Sequence, residues 1–180
     1  MIHIVTHVPG QALTREPGGN DVPTVGVSQG SVIPLAKPFY RAYNEKDHFF
    51  TTSEAEMDNA CNNFGYSREG VACKLWTTTG SGMVPLYRWW NGQDHCYTQS
   101  PSEHKQDNQR NNGLERPKWL FEEITGYILA TRIEGTVPFY RIFCSEKGDH
   151  HYTANKDERD LYISGGQWAD EGFVGFVVPP

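Results

Sequence analysis

The alternation of apolar and polar positions repeats three times along the chain. Each copy opens with a proline and a short aromatic segment, at Pro38-Phe39-Tyr40-Arg41, Pro85-Leu86-Tyr87-Arg88 and Pro138-Phe139-Tyr140-Arg141. A stretch of turn-forming residues and a second β-prone segment follow, so each copy begins with a predicted hairpin. Strand alternation puts Phe39, Arg41 and Tyr43 on one face and Tyr40 on the other.

A short helix is predicted next in each copy. A capping residue is followed three positions later by Glu, in the pairs Ser53 and Glu56, Ser100 and Glu103, and Asn155 and Glu158. This spacing is that of a capping box, which accounts for the three Glu residues without any further function. Left-handed helix ends are expected at Gly65, Gly113 and Gly165. The second helix, over 101–112, is almost wholly polar, so it is expected at the surface.

Each copy closes with a strand rich in β-branched and aromatic residues, predicted at Val71 to Thr77, Ile124 to Thr131 and Phe173 to Val178. The pattern therefore predicts a mainly β domain with three short helices, of the α+β class. We expect a pseudo-threefold internal repeat with a plan resembling a β-trefoil. The globular domain is predicted over 38–180, with copies at 38–80, 85–133 and 138–178. Residues 1–37 form an N-terminal arm or strand that could pair with a second chain in a homo-oligomer.

Composition and charge exclude several classes of partner. The net charge is -6 and no cluster of Lys and Arg occurs, which argues against nucleic acid. No run reaches membrane-spanning length and no signal peptide is evident, so we expect a soluble protein, cytoplasmic or secreted, without membrane insertion. The four cysteines show no metal-type spacing and are interpreted as free packing residues, although a Cys61 to Cys73 disulfide is compatible with their spacing. No cofactor and no metal is expected.

Polar and aromatic residues recur at matching positions of the three copies, and these are the candidate functional residues. An Arg ends each opening, an Asp-His pair follows with a Thr three residues later, and an aromatic precedes a Glu by three. Carbohydrate recognition uses a flat ring together with charged hydrogen-bonding groups. The candidate carbohydrate-binding residues are Arg41, Asp47, His48, Tyr66 and Glu69; Arg88, Asp94, His95, Trp119 and Glu122; and Arg141, Asp149, His150, Trp168 and Glu171. We expect a lectin, not an enzyme, with up to three equivalent weak sites for glycans or glycoproteins that together give avidity.

Other interpretations of the same residues stay open. The Arg, Asp and Glu residues could be internal ion pairs that fix each copy, which would make the protein a structural module. Neighbouring Asp and His side chains of a strand point in opposite directions and make poor joint metal ligands, but His48, His95 and His150 could meet on the axis. Asp94 and Glu122 could form a glycosidase pair, yet threefold repetition argues against a single catalytic site. A protease inhibitor could use an exposed loop over 77–84 or 131–137.

The repeated motifs resemble an uncharacterised three-copy repeat family of fungal and bacterial proteins, often found beside hydrolases, with the pattern PLYRxYN, DHFYTT and EGxAxYV. The resemblance covers Pro38 to Val178. It departs where Cys96 and His151 replace the aromatic after Asp-His and where Glu123 replaces the Gly after Glu. The resemblance implies the three-copy architecture, and an accessory module for a glycosidase is one function it suggests. The internal repeat and aromatic content are also similar to those of fungal lectins in general.

Overall fold

The computed structural model describes residues 35–105 and 118–180. Unit 1 contains β1 (Lys37–Tyr43), β2 (His48–Thr51), α1 (Glu54–Asn63) and β3 (Ser67–Leu75). Unit 2 contains β4 (Met83–Trp90), β5 (His95–Thr98), a helical turn at residues 103–105 (α2) and β6 (Leu120–Leu129). Unit 3 contains β7 (Val137–Cys144), β8 (Asp149–Thr153), α3 (Lys156–Ser164) and β9 (Ala169–Val177). The predicted mainly β, α+β class is confirmed, while the predicted N-terminal strand and most of the second helix lie outside the described residues.

Each unit places its first strand between its second and third. The strands form a three-stranded sheet β2-β1-β3 and a six-stranded sheet β5-β4-β6-β9-β7-β8. The predicted hairpins are confirmed: in unit 1, Tyr43 pairs with His48. Asn44 Oδ1 closes that turn by accepting the backbone N–H groups of Lys46 and Asp47, as the turn chemistry of Asn favours.

The ends of the third strands join the units. Leu129 of β6 pairs with Phe176 of β9, and this contact merges units 2 and 3 into one sheet. β3 reaches both other units through isolated bridges, which join Lys74 to Val178 and Trp76 to Tyr127. Each unit is therefore bonded through its last strand to the other two.

The third strands begin four residues earlier than predicted. Their first halves are exposed, and those of β3 and β9 are mostly polar while β6 opens with Leu120 and Phe121, so none of them shows the β-branched pattern on which the prediction depends. Main-chain pairing with the opening strand of the unit holds them instead, with register shifts where β3 follows β1. As a consequence Glu69, Glu122 and Glu171 lie on strands, with fixed backbones.

Of the two hydrogen bonds that define a capping box, units 1 and 3 form only the one accepted by the capping residue. Ser53 Oγ accepts the backbone N–H of Glu56, as the motif requires. The N–H of Ser53, however, donates to Thr51 Oγ1 at 3.0 Å, and the corresponding Thr98 and Thr153 serve the other two units. The Glu side chains are thereby released from capping.

The helix ends differ between units. Gly65 adopts the left-handed conformation after α1, as predicted, with φ of 76°. After α3 the left-handed residue is Gly166 with φ of 75°, whereas Gly165 is still right-handed with φ of -71°. Gly113 lies outside the described residues.

The three units share one core. Its main cluster takes a matching aromatic or Leu from each opening strand and an aromatic from each second strand: Phe39, Leu86, Phe139, Phe50, Tyr97 and Tyr152. Tyr40 and Ala42 pack on the other side of β1 in a smaller cluster, as the strand alternation predicts. The four cysteines are free, and three of them are buried. Among the described helices none is long and apolar enough to cross a bilayer.

Candidate functional site

A cleft of about 610 Å³ lies where unit 1 meets unit 3. Unit 1 contributes Tyr43, His48 and Glu69 to its walls. Unit 3 contributes Lys147, Glu158, Leu161, Tyr162, Gln167 and Trp168. The cleft thus combines aromatic rings with two carboxylates, an ammonium group and an amide, and three of the predicted binding residues (His48, Glu69 and Trp168) lie in it.

His48 is fixed in this cleft by a buried carboxylate of unit 3. Its Nδ1 lies 2.7 Å from Asp149 Oδ2, and its backbone N–H donates to Asp149 Oδ1 at 3.0 Å. The Tyr43 ring stacks on the imidazole with centroids 4.3 Å apart. The Nε2 atom of His48 lies 3.9 Å from Glu69 Oε2, at the cleft wall. Because Asp149 is fully buried, it orients the imidazole and cannot itself touch a ligand.

Arg41 joins two carboxylates at the same cleft. Its Nε lies 2.9 Å from Glu69 and its Nη1 lies 3.0 Å from Glu158. Burial raises the pKa of Glu158, but His151, Thr153 and Arg41 outweigh it and lower the pKa to about 2. Burial lowers the pKa of His151 to about 4, so this imidazole is neutral near pH 7. Its Nε2 lies 3.4 Å from Arg41 Nη1.

The same network occurs at His95. Its Nδ1 lies 2.6 Å from Asp47 Oδ2, and its Nε2 lies 3.6 Å from Glu122. Arg88 contacts Glu122 and Glu56, each at 2.8 Å. Burial and Arg88 act in opposite directions on Glu56, and the net pKa of this carboxyl is lowered. Glu123 adds a contact to Arg88 at 3.2 Å that is specific to this unit among those described, because Gly occupies the matching position in the other two.

The network occurs a third time at His150. Its Nδ1 lies 2.6 Å from Asp94 Oδ2, and its Nε2 lies 3.4 Å from Glu171. Burial alone lowers the pKa of His150, but Asp94 and Glu171 outweigh it and raise the pKa to about 9. Arg141 contacts Glu171 and Glu103, each at 2.9 Å. All three copies therefore bind an Arg between a strand Glu of their own unit and a helix Glu of another.

The predicted residues come together across unit boundaries. We expect each aromatic to serve the Arg, Asp-His pair and Glu of its own copy, but the structure places two of the three, Trp119 and Trp168, beside the His of the following unit, while Tyr66 binds the Asp of its own copy. Trp168 contacts His48 and Trp119 contacts His150, both edge-on, while the Tyr66 hydroxyl donates to Asp47, the partner of His95. Each Asp likewise binds the His of the following unit, with unit 3 returning to unit 1.

The fifteen predicted residues differ in how much of their side-chain surface solvent can reach. Asp47, Asp94 and Asp149 are at most 1 % exposed, and the three His are at most 9 % exposed. Glu69, Glu122 and Glu171 keep about 30 % of their side-chain surface accessible. The Asp residues lie behind the imidazoles, and the strand Glu residues reach solvent. The residues that converge from all three units are the Asp residues, since one carboxylate oxygen of each lies within 4.8 Å of one from the other two.

The sequence reasoning missed several residues of the cleft. The capping box accounts for Glu158 in the sequence, whereas in the structure Thr153 takes the capping bond and the Glu158 carboxylate contacts Arg41. Tyr43 carried a usable signal, since an aromatic stands two residues after the repeated Arg in every copy, as Tyr43, Trp90 and Phe143. Each packs on the His of its own unit with centroids 4.2 to 4.5 Å apart. His151 was noted only as a departure from the pattern, yet it packs against His48 at 4.3 Å.

Comparison with known proteins gives a family but no named function. No curated protein and no solved structure matches the chain. The family described as Domain of unknown function (DUF5648) matches residues 38–178, a range that contains nearly all of the three units and all fifteen predicted site residues. The chain therefore belongs to the DUF5648 family.

Proposed function

We propose that this protein is a lectin that binds carbohydrate in the cleft between units 1 and 3. The observation that carries the proposal is the composition of that cleft, where Tyr43 and Tyr162 stand beside the carboxylates of Glu69 and Glu158. Its volume of about 610 Å³ suits a mono- or disaccharide and falls in the usual range of small-molecule sites. A second depression of about 370 Å³ shares Tyr43 and Glu69 with it, which would let a longer glycan continue.

The residues of the cleft have different proposed roles in sugar binding. Tyr43 is half-buried and braced by His48 behind it, so its ring is a rigid apolar surface for a pyranose. Glu69 and Glu158 accept hydrogen bonds from sugar hydroxyls. Lys147 Nζ donates to Tyr43 Oη at 2.8 Å and offers its remaining N–H groups to the sugar; such charge-assisted bonds are the strong ones. Trp168 is 8 % exposed and serves as a wall rather than as an open platform. Arg41 and Asp149 hold these groups in place.

The contacts between units support a pseudo-threefold plan, which we propose as the finer description of the fold. Every Asp-His bond runs from one unit to the next, and the last returns to the first. Such closure supports a plan resembling a β-trefoil, and in that plan the His95 and His150 networks would be the second and third glycan sites. The residue after each Asp-His pair distinguishes them: Phe49 packs on His95, His151 packs on His48, and Cys96 approaches Arg141. The three sites therefore differ in ligand or in strength.

Two other functions compete with this proposal. If the networks serve only to join the units, the protein is a structural or glycosidase-accessory module, and the burial of the three Asp residues and of Arg88 agrees with that interpretation. A protease inhibitor would instead use a loop over 77–84 or 131–137, and residues 77–82 of the first are exposed. An enzyme is not proposed, because the Asp-His pair that could act as a base recurs three times with Glu at its other nitrogen. Glycans or glycoproteins are the proposed partners, in an aqueous compartment.

A glycan array followed by calorimetric titration of the bound sugars tests the proposal. We expect discrete glycans to bind wild-type protein, and Glu69→Gln and Lys147→Met to weaken them at least tenfold while circular dichroism stays native. Lys156→Met is the matched control, since Lys156 is an exposed lysine of α3 that pairs with Asp160 outside the cleft. An array without bound glycans contradicts the lectin, and accompanying inhibition of a protease would favour the inhibitor. Binding that both cleft variants retain would place the sugar elsewhere.

A further inference from the structure

A second group of chemically active side chains lies in unit 2, away from the cleft. Cys96 on β5 and Glu103 and His104 in α2 bring a sulfur, a carboxylate oxygen and an imidazole nitrogen within 4.8 Å of one another. Cys96 is fully buried and His104 is 4 % exposed, whereas Glu103 is partly accessible. We propose that these three residues bind a divalent transition-metal ion of the zinc class.

Comparison among the units supports this assignment independently of the distances. Cys96 occupies the position after the Asp-His pair, where units 1 and 3 have Phe49 and His151. His104 occupies the position after the helix Glu, where unit 1 has Met57. Phe49 and Met57 pack together in an apolar cluster. Unit 2 therefore replaces an apolar pair by a thiol and an imidazole while it keeps the Glu between them.

The donor set selects the kind of ion. Thiolate and imidazole are preferred by zinc and similar ions, and a carboxylate completes many such sites. Bonds of about 2.0–2.3 Å hold tetrahedral ligand atoms about 3.3–3.8 Å apart. The present separations of up to 4.8 Å require the side chains to close by on the order of 1 Å. Three protein ligands leave a fourth position for water.

Binding must displace contacts that the side chains make now. Ions of the zinc class bind the thiolate form, so the buried Cys96 thiol must release its proton to solvent when the ion binds, and affinity therefore rises with pH. Thr98 Oγ1 donates to one oxygen of Glu103, and Arg141 donates to the other at 2.9 Å. An ion that binds the Glu103 oxygen contacted by Thr98 would replace that contact and keep the ion pair of Glu103 with Arg141, whose Nη1 also lies 3.9 Å from Cys96 Sγ.

Cobalt is the probe, because only sulfur ligation gives it an intense near-ultraviolet charge-transfer band. With a non-thiol reductant present, we expect one Co²⁺ per chain, this band, and its loss when one equivalent of Zn²⁺ is added. Cys96→Ser should remove the band. His104→Gln removes a direct ligand, so it should weaken binding by more than the roughly 100-fold that loss of a hydrogen-bond partner of a ligand can cost. The control Cys61→Ser changes a half-buried thiol in α1 and keeps the band.

The possible failures are distinct. Cobalt held by imidazoles alone gives no sulfur band, so binding without the band overturns the proposal. A band that survives Cys96→Ser, or one that Cys61→Ser abolishes, also overturns it. If Cys96→Ser does not fold, His104→Gln is measured by thermal unfolding with Zn²⁺. Wild-type protein should then gain stability from the ion by mass action, and a variant with the same gain contradicts the site.

Discussion

At the residue scale, the repeated unit of chemistry is an Arg between two carboxylates. The pairing of Arg88 with Glu122 was foreseeable, since both recur at fixed places in each copy. The second partner, Glu56, was not, because the capping box already explained its position. The difference lies with Thr51, whose hydroxyl takes the N–H that the Glu would have taken. A recurring Thr with no assigned role was the signal that the capping interpretation was incomplete.

His150 makes a pH dependence testable at the level of one residue. Its pKa is raised from 6.5 to about 9 in the folded protein, where Asp94 and Glu171 outweigh the opposing effect of burial. The stability that this proton contributes is complete below about pH 6.5 and is lost as the pH rises through about 9, and it is on the order of 3 kcal/mol. We expect His150→Asn to flatten the decline of the unfolding free energy over this range. Urea unfolding at several pH values measures it.

Glu171→Gln is the graded control for His150. It removes one of the two carboxylates that contact the imidazole and leaves the bond to Asp94, so the pKa of His150 should fall part of the way. The stability decline should then still begin near pH 6.5 but end at a lower pH and be smaller in total than in wild-type protein. Parallel pH profiles for wild type and His150→Asn would show that this imidazole does not carry a raised pKa.

At the scale of elements, hairpins and helix starts were predictable and the third strands were only partly so. Turn residues and Ser53 or Asn155 caps are local signals, and the structure follows them. The first half of β3 is held by pairing with β1, which sequence composition does not record. The shift had consequences for the site, because Glu69 came to lie on a strand and not on a loop before one.

Adjacent glycines after α3 give a prediction at this scale. Gly166 has φ of 75° and a Cβ added there would meet open space, so Gly166→Ala should cost about 1 kcal/mol through backbone strain alone. Gly165 has φ of -71°, so Gly165→Ala should be neutral or stabilising by up to about 1 kcal/mol. Chemical denaturation of both variants provides the comparison, each serving as the control for the other. If Gly165→Ala lowered the free energy of unfolding more than Gly166→Ala, the left-handed residue at the helix end would be Gly165.

At the scale of the whole molecule, the internal repeat limits what the sequence can reveal. It predicts which residue types form a site, because they recur together. It does not predict which copy supplies each member, since all three copies carry the same types. Trp168 beside His48 and Asp149 beneath it are thus combinations that only the arrangement of units determines. Residues that break the repeat, such as Cys96 and His151, are where the sites differ.

The core joins the units through tyrosine hydroxyls, which leads to a prediction for the whole fold. Tyr152 Oη accepts the backbone N–H of Tyr97 at 2.8 Å and donates to its carbonyl at 2.9 Å, with both residues fully buried. Tyr152→Phe removes this partner from two buried main-chain groups and should cost about 1–3 kcal/mol. The half-buried Tyr40 is the control, and Tyr40→Phe should stay within about 0.5 kcal/mol of wild type. Urea unfolding monitored by tryptophan fluorescence measures both variants. Equal unfolding free energies of Tyr152→Phe and wild-type protein would mean that solvent or repacking replaces the hydroxyl without loss.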